Sequence, residues 1–184
     1  MAYFTSKDVV AISMCAALWG VLNITVSPVF WTITHLPFAC DLIGFTCLII
    51  AVWWVKKLGA ASAVGIIATA INFILRPEAT HFIGFTAASI LFDITTRIAG
   101  YKTCFGSPKT SGVCLIFLSV LSGGLAGFII GNLFMAPGII ASVYGTLFVF
   151  AGLHATGGMI GGFLGFILVK ALETRGVLIP KKRV

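Results

Sequence analysis

The chain has 184 residues, of which 59% are hydrophobic and only 9% are charged, with a formal net charge of +7 at pH 7. Because a soluble domain carries about 25% charged residues, a water-soluble globule of this size is excluded. We therefore predict an all-α integral membrane protein in which residues 1–184 form a single domain.

Six apolar runs predict six transmembrane helices, because a membrane helix needs roughly 20 apolar residues. Short polar or Pro/Gly-rich stretches separate these runs. The predicted helices cover residues 9–26, 40–55, 58–75, 81–98, 111–135 and 139–172. No polar domain follows the first run, so we interpret it as a helix of the mature protein and not as a secretory signal.

The basic residues predict the orientation of this six-helix bundle. If both termini are cytoplasmic, 11 of the 12 Lys and Arg residues lie on the cytoplasmic side, and Arg76 is the exception. Basic residues are retained on that side of a membrane. We therefore predict a multi-pass protein of the cytoplasmic membrane, with its basic C-terminus near anionic lipid. The net positive charge then requires no nucleic-acid partner.

The first predicted outer loop has the sequence SPVFWTITHLPFACD and begins at Ser27. Pro28 and Pro37 are expected to prevent a continuous helix here. The loop contains Trp31 and His35, and since it is too apolar to lie free in water, we expect it to fold over the bundle as a lid or a short interfacial helix. Alternatively, its aromatic residues form a belt at the depth of the lipid headgroups.

The second predicted outer loop lies within the sequence FILRPEATHF, residues 73–82. It contains Arg76, which is the only basic residue predicted outside, together with Glu78 and His81. Arg76 and Glu78 either pair with each other, or one of them recognises a charged ligand with His81 as a hydrogen-bonding partner.

Polar residues also occur within the predicted helices. His154 is about 15 positions into a sixth helix that starts at Ile139, roughly 22 Å deep. An ionisable group at that depth is a candidate functional residue, although it can also be a neutral histidine that bonds a neighbouring helix. Asn132, near the outer end of helix five, bonds either a ligand or a helix. Asp93 and Arg97, four residues apart, are predicted to pair.

Small residues recur at intervals of four in three predicted helices. In helices five and six, the glycines are interpreted as contacts within the bundle. Helix one has less need to pack inside, so its small residues are predicted to dock another membrane protein. These residues are Ser13, Ala16, Ala17 and Gly20.

Several motifs are absent from the sequence. It has no GxxxxGK[ST] loop, so the chain has no ATPase of its own, and it has no HExxH motif. The five cysteines show no CxxC pair and are interpreted as small apolar residues. We therefore predict a protein that is not an enzyme and has no cofactor.

Taken together, the size, the six helices, the cytoplasmic termini, the AISMCAALWG segment of helix one and the long apolar first outer loop resemble the substrate-binding S component of an energy-coupling factor (ECF) transporter. The resemblance implies a vitamin or related micronutrient bound near the outer surface, and uptake with a transmembrane T component and two cytoplasmic ATPases. It also implies that the small-residue face of helix one contacts the T component. The ligand site would draw on Trp31, His35, Glu78, His81, Asn132, Tyr144 and His154.

The identity of the ligand stays open at this stage. Trp31 and Tyr144 are available to stack on an aromatic vitamin. Glu78 with these aromatic residues would suit a cationic ring such as thiamine, or a pyrimidine precursor. An S component that binds a transition metal is an alternative, because histidine and carboxylate side chains are suitable ligands.

A rival hypothesis from another class is a rhomboid-like intramembrane serine protease. Ser122 in SGGLAG and His154 in HATGG resemble the serine and histidine motifs of that family, and such a dyad could hydrolyse a peptide bond. Against this hypothesis, Val120 stands where that family has a glycine, and the two predicted helices are adjacent in the chain.

Overall fold

The computed structural model describes residues 3–177, and this part of the chain is helical without any strand. The helices are α1 (Ser6–Thr34), α2 (Phe38–Val55), α3 (Ala60–Leu75), α4 (Phe82–Ala99), α5 (Tyr101–Phe105), α6 (Pro108–Leu133), α7 (Pro137–Ile139) and α8 (Leu147–Thr174). A π-helical turn, Ile140–Tyr144, continues α7.

Five of the described helices, α1, α2, α4, α6 and α8, are long and apolar enough to cross a membrane. The 16-residue helix α3 is equally apolar but shorter. The prediction of an all-helical membrane protein is therefore confirmed.

The long helices alternate in direction, so their connections lie at two opposite ends of the bundle. We call the end with the connections α1–α2, α3–α4 and α6–α8 the cavity end. We call the other end, where α1 begins and α8 finishes, the terminal end. Helix α8 packs mainly on α6 and α2, α4 packs between α3 and α6, and α1 covers α2 and α3.

Glycines let α8 approach its two neighbours closely. A Cβ atom at Gly127 of α6 would lie 2.7 Å from the Cα of Ala151, and one at Gly161 of α8 would lie 2.7 Å from the carbonyl oxygen of Leu42. Neither position has room for a side chain, because real Cβ atoms do not come that close to a backbone. The prediction that these glycines pack within the bundle is confirmed.

The prediction that Pro28 interrupts the first helix is wrong. Helix α1 continues through Pro28 to Thr34, and the Thr32 hydroxyl donates to the Pro28 carbonyl at 2.7 Å. Hydroxyl side chains and neighbouring helices can satisfy the backbone groups near a proline in a membrane helix. The residue that follows the helix, His35, adopts the left-handed conformation with φ 55° and ends it.

The predicted single helix over residues 139–172 is also wrong at its start. Gly145, with φ 76°, separates the π-helical turn from α8, which begins at Leu147. The Thr146 hydroxyl caps the new helix by accepting from the Val149 amide at 3.2 Å. His154 therefore lies seven residues into α8, about 10 Å from its start instead of 22 Å.

The predicted pair of Asp93 and Arg97 is not formed. Asp93 Oδ2 instead accepts from the Gly59 amide at 2.8 Å and from both the amide and the hydroxyl of Ser62 at 2.9 and 2.7 Å. The Arg97 guanidinium lies over the Tyr101 ring, 5.8 Å from its centroid. Since Gly59 is the N-cap residue of α3, Asp93 holds the start of that helix against α4.

Candidate functional site

A cavity of about 460 Å³ lies at the cavity end, between the last turns of α1, α3 and α6 and the first turns of α2, α4 and α8. Five aromatic side chains form much of its wall: Trp31, Phe82, Phe85, Tyr144 and Phe150. Its polar lining comprises Asn23, Ser27, Thr32, Asn72, Arg76, His81 and His154. A volume of this size, with aromatic walls and few polar groups, is typical of small-molecule sites.

One polar residue of the cavity lining, His154, bonds a buried carboxylate. Its Nδ1 lies 2.6 Å from Oδ2 of Asp41, and the two side chains are 3% and 0% exposed. Asp41 is in the first turn of α2, where Gly157 and Gly161 of α8 let the two helices touch. The glycines that follow His154 therefore bring two residues that are distant in sequence into contact.

The imidazole ring of His154 is held on three sides. The rings of Phe150 and Phe85 lie 4.7 and 5.8 Å away, centroid to centroid. On the α6 side, a Cβ atom at Gly127 would come within 2.8 Å of the His154 Cδ2 atom. Nδ1 is bound to Asp41, which leaves Nε2 as the second ring nitrogen of a residue that lines the cavity. This Nε2 atom is buried and has no hydrogen-bond partner in the described structure.

Asn72 presents a second unpaired polar atom beside the same cavity. Its Nδ2 donates to the Ala68 carbonyl at 2.7 Å, while its Oδ1 is buried without a partner. Asn72 and His154 are only 1% and 2% exposed. Because buried polar groups are normally hydrogen-bonded, two such atoms around one cavity indicate a place where a ligand completes the bonding.

The mouth of the cavity is covered by residues from α1 and the π-helical turn. The Tyr144 hydroxyl donates to the His35 carbonyl at 3.3 Å. The His35 ring packs edge-on to Trp31, with 5.2 Å between centroids. Residues 27–34 continue α1 instead of folding back over the bundle, and the Tyr144 bond joins the end of this helix to the π-helical turn.

The structure brings four of the seven predicted ligand residues to the cavity. These are Trp31, His81, Tyr144 and His154. His35 contributes its carbonyl at the mouth, whereas Asn132 is exposed on α6 and does not line the cavity. Glu78 does not line it either: its side chain is 69% exposed and accepts from Arg76 Nε at 3.2 Å.

Sequence reasoning missed Asp41 as a site residue. It is one of five acidic residues in the chain, and it adjoins the uninterrupted apolar run of helix two. A carboxylate next to an apolar membrane helix needs a partner when it is buried in the bundle. The position of Asp41 in the sequence could therefore have indicated that it pairs with another buried residue. The interpretation of residues 27–41 as one loop hid it.

The two ionisable residues next to Arg76 carry different charges at neutral pH. Burial lowers the pKa of His81 to about 4, and the charges of Arg76 and His154 act in the same direction. His81 is therefore neutral at pH 7. A hydrogen bond from its own backbone amide and another from Arg76 lower the pKa of Glu78, which stays ionised and offsets the Arg76 charge.

The predicted docking residues of helix one do not share one face. Ser13 and Ala17 are exposed, but Ala16 and Gly20 are buried in the bundle. A Cβ atom at Gly20 would lie 2.9 Å from Cγ2 of Ile71 on α3. Gly20 therefore serves the α1–α3 contact, and only Ser13 and Ala17 face outward.

A second cavity, of about 500 Å³, lies at the terminal end between α1, α2 and α8. It is slightly larger, but its lining is apolar apart from Ser6 and Lys7 at its edge. The buried polar atoms without partners at the cavity end have no counterpart in this lining. We therefore place the candidate site at His154.

The described residues do not form the arrangement that a metal site or a serine-protease site would require. Among residues 3–177, no three His, Cys, Asp or Glu side chains form a group that could hold a metal ion. The Ser122 hydroxyl and Nε2 of His154, the ring nitrogen that would accept the serine proton, are both buried without a hydrogen-bond partner among the described residues, so they are not bonded to each other. A nucleophile bonded to its base, as a serine protease requires, is not present in this arrangement.

Comparison of the chain with protein-family models, curated proteins and solved structures gives no match. The geometry of the site is therefore the basis of the functional argument.

Proposed function

We propose that this protein is the membrane-embedded binding subunit of an importer for a small aromatic micronutrient, equivalent to the S component of an ECF transporter. One observation carries the proposal: a cavity walled by aromatic rings is also lined by His154 and Asn72, each of which has a buried polar atom without a partner among the described residues. An enclosed site with few polar groups binds a small molecule in a fixed orientation.

The proposal includes six membrane crossings with both termini cytoplasmic. Helix α3 is the sixth crossing; at 16 residues it is about 24 Å long and is matched by local thinning of the bilayer. The distribution of Lys and Arg then places the cavity end outside the cell. In a background without native cysteines, a Glu78→Cys variant should react with a membrane-impermeant maleimide in intact cells, whereas Lys102→Cys should not. The opposite pattern would reject this orientation.

Energy for uptake comes from partner subunits in this proposal. The sequence has no nucleotide-binding loop, so a T component and two cytoplasmic ATPases would drive transport, as the resemblance implies. The exposed pair Ser13 and Ala17 on α1 is the part of the predicted docking face that such a partner can reach.

The proposal is tested by mass spectrometry of the small molecules that co-purify with the detergent-solubilised protein. We expect one aromatic compound in a near-stoichiometric amount. It should be missing from the double variant Asp41→Leu/His154→Phe, which removes the polar floor but keeps its shape, and present in the matched control Glu78→Gln. No enriched compound in the wild type, or equal amounts in the double variant, would refute the proposal.

A further inference from the structure

The protonation of the Asp41–His154 pair determines what the cavity offers to a ligand. Both side chains are buried, and an isolated charge inside a membrane bundle is far more costly than a balanced pair. A pair without net charge has two arrangements. Either an ionised carboxylate accepts from imidazolium Nδ1, or a protonated carboxyl group donates to Nδ1.

Both of these arrangements leave a hydrogen on Nε2. In the first, the imidazolium carries hydrogens on both nitrogens, and in the second the neutral ring carries its hydrogen on Nε2 because Nδ1 accepts. Because His154 lines the cavity and its Nε2 has no partner among the described residues, the site holds a hydrogen-bond donor for a ligand. The ligand must therefore supply an acceptor at this position.

The second open atom has the opposite requirement. Asn72 uses its amide nitrogen to donate to Ala68, so its unpartnered Oδ1 can only accept. A ligand that satisfies both atoms carries an acceptor and a donor together, as an amide or an amino-substituted nitrogen heterocycle does.

The remaining charges around the cavity are balanced. The Arg76 guanidinium has the Glu78 carboxylate as its partner at 3.2 Å. His81 is neutral at pH 7, because its pKa is lowered to about 4. No unbalanced charge among the described cavity residues is left to attract an ion.

We infer that the cavity selects a neutral planar ring compound that accepts a hydrogen bond from His154 Nε2 and donates one to Asn72 Oδ1. Asp41 is a positioning residue, because it touches the imidazole and not the ligand. This inference rests on the proposed function and narrows it. It replaces the cationic ring expected from Glu78, whose exposed side chain is paired with Arg76 and does not line the cavity.

The inference can be tested with three probes that share one ring and differ in charge: benzamide, benzamidinium and benzoate. Their binding to the protein in lipid nanodiscs is measured by saturation-transfer NMR, with empty nanodiscs subtracted and Ser13→Ala, an exposed position away from the cavity lining, as the matched control. We expect benzamide to bind about tenfold more tightly than either ion, since a buried ion without a partner is penalised. Preference for an ion, or no binding by any probe, would overturn the inference.

Variants of Asp41 separate its positioning role from a charge effect. We expect Asp41→Leu and Asp41→Leu/His154→Phe to lose benzamide binding. Asp41→Asn should restore most of it, because an amide can donate to Nδ1 and leave the hydrogen on Nε2. If Asp41→Asn binds as poorly as Asp41→Leu, the negative charge itself is required and the neutral-ligand inference is wrong. None of these outcomes decides whether a compound co-purifies, so failure here is distinct from failure of the proposed function.

Discussion

The cavity end and the terminal end of the bundle each contain a fully buried aspartate and a cavity of similar volume. At the terminal end, Oδ2 of Asp93 accepts three hydrogen bonds that fix the start of α3, while its Oδ1 has no partner among the described residues; the cavity between α1, α2 and α8 at that end is almost wholly apolar. At the cavity end, Asp41 bonds His154, whose other nitrogen is left open beside the cavity. The bonds of Asp93 therefore stabilise the fold, whereas the open nitrogen of His154 belongs to a residue that lines a cavity.

The largest effect is expected from Asp93→Ala at the terminal end. It leaves the amides of Gly59 and Ser62 without their acceptor, and we expect a loss of about 4 kcal/mol in unfolding free energy. Denaturant titration in mixed micelles measures this loss. The protein that remains folded should keep its co-purified compound. A variant that is stable but lacks the co-purified compound would show that Asp93 serves ligand binding, and would contradict the difference drawn between Asp93 and Asp41.

A double-mutant cycle at the cavity end should show strong coupling. His154→Phe alone leaves the Asp41 carboxylate buried without its partner, so we expect a loss of about 3 kcal/mol. The double variant Asp41→Leu/His154→Phe should lose less than about 1 kcal/mol, because a buried ion pair replaced by apolar residues of similar volume is often neutral. Additive losses, measured by the same titration, would show that the two residues act independently.

The stability of the cavity end should depend on pH through His81. Its pKa is about 4 in the folded protein and lower than the ordinary 6.5, so the unfolded state binds the proton more readily. The stabilisation is complete above pH 6.5 and is lost as pH falls toward 4. Between pH 7.5 and 4.5, the melting temperature of the wild type should fall several degrees further than that of His81→Gln. Parallel curves for the two proteins would contradict the burial of this histidine.

The smallest effect is expected from Glu78→Gln. Its side chain is 69% exposed, and surface ion pairs contribute little. We expect a change of less than about 2 °C in melting temperature and less than about twofold in ligand affinity. Calorimetry with the identified compound measures the affinity. A loss of tenfold or more in ligand affinity would show that Glu78 contributes to ligand binding.

The membrane helices could be predicted from the sequence because lipid demands long apolar segments, and that demand is local. The continuation of α1 through Pro28 could not, because a membrane helix tolerates a proline when its tertiary surroundings satisfy the freed backbone group. The break at Gly145 was also hidden, because no charged residue interrupts the apolar run there.

The site was predictable only in part for a related reason. His154 stands out as an ionisable group in an apolar helix, so it can be recognised from sequence. Its partner Asp41 is 113 positions away in the chain, and their contact depends on how closely the glycines of α8 approach α2. Glu78 looked functional because charge is rare in this chain, yet Arg76, two residues away, satisfies it at the surface.

The most direct test of the central claim is an experimental structure of the protein with its co-purified compound bound. We predict that the compound lies in the cavity beneath Trp31 and Tyr144, with an acceptor atom about 3 Å from Nε2 of His154. A compound found instead in the apolar cavity between α1, α2 and α8, or one that makes no bond to His154, would contradict the account.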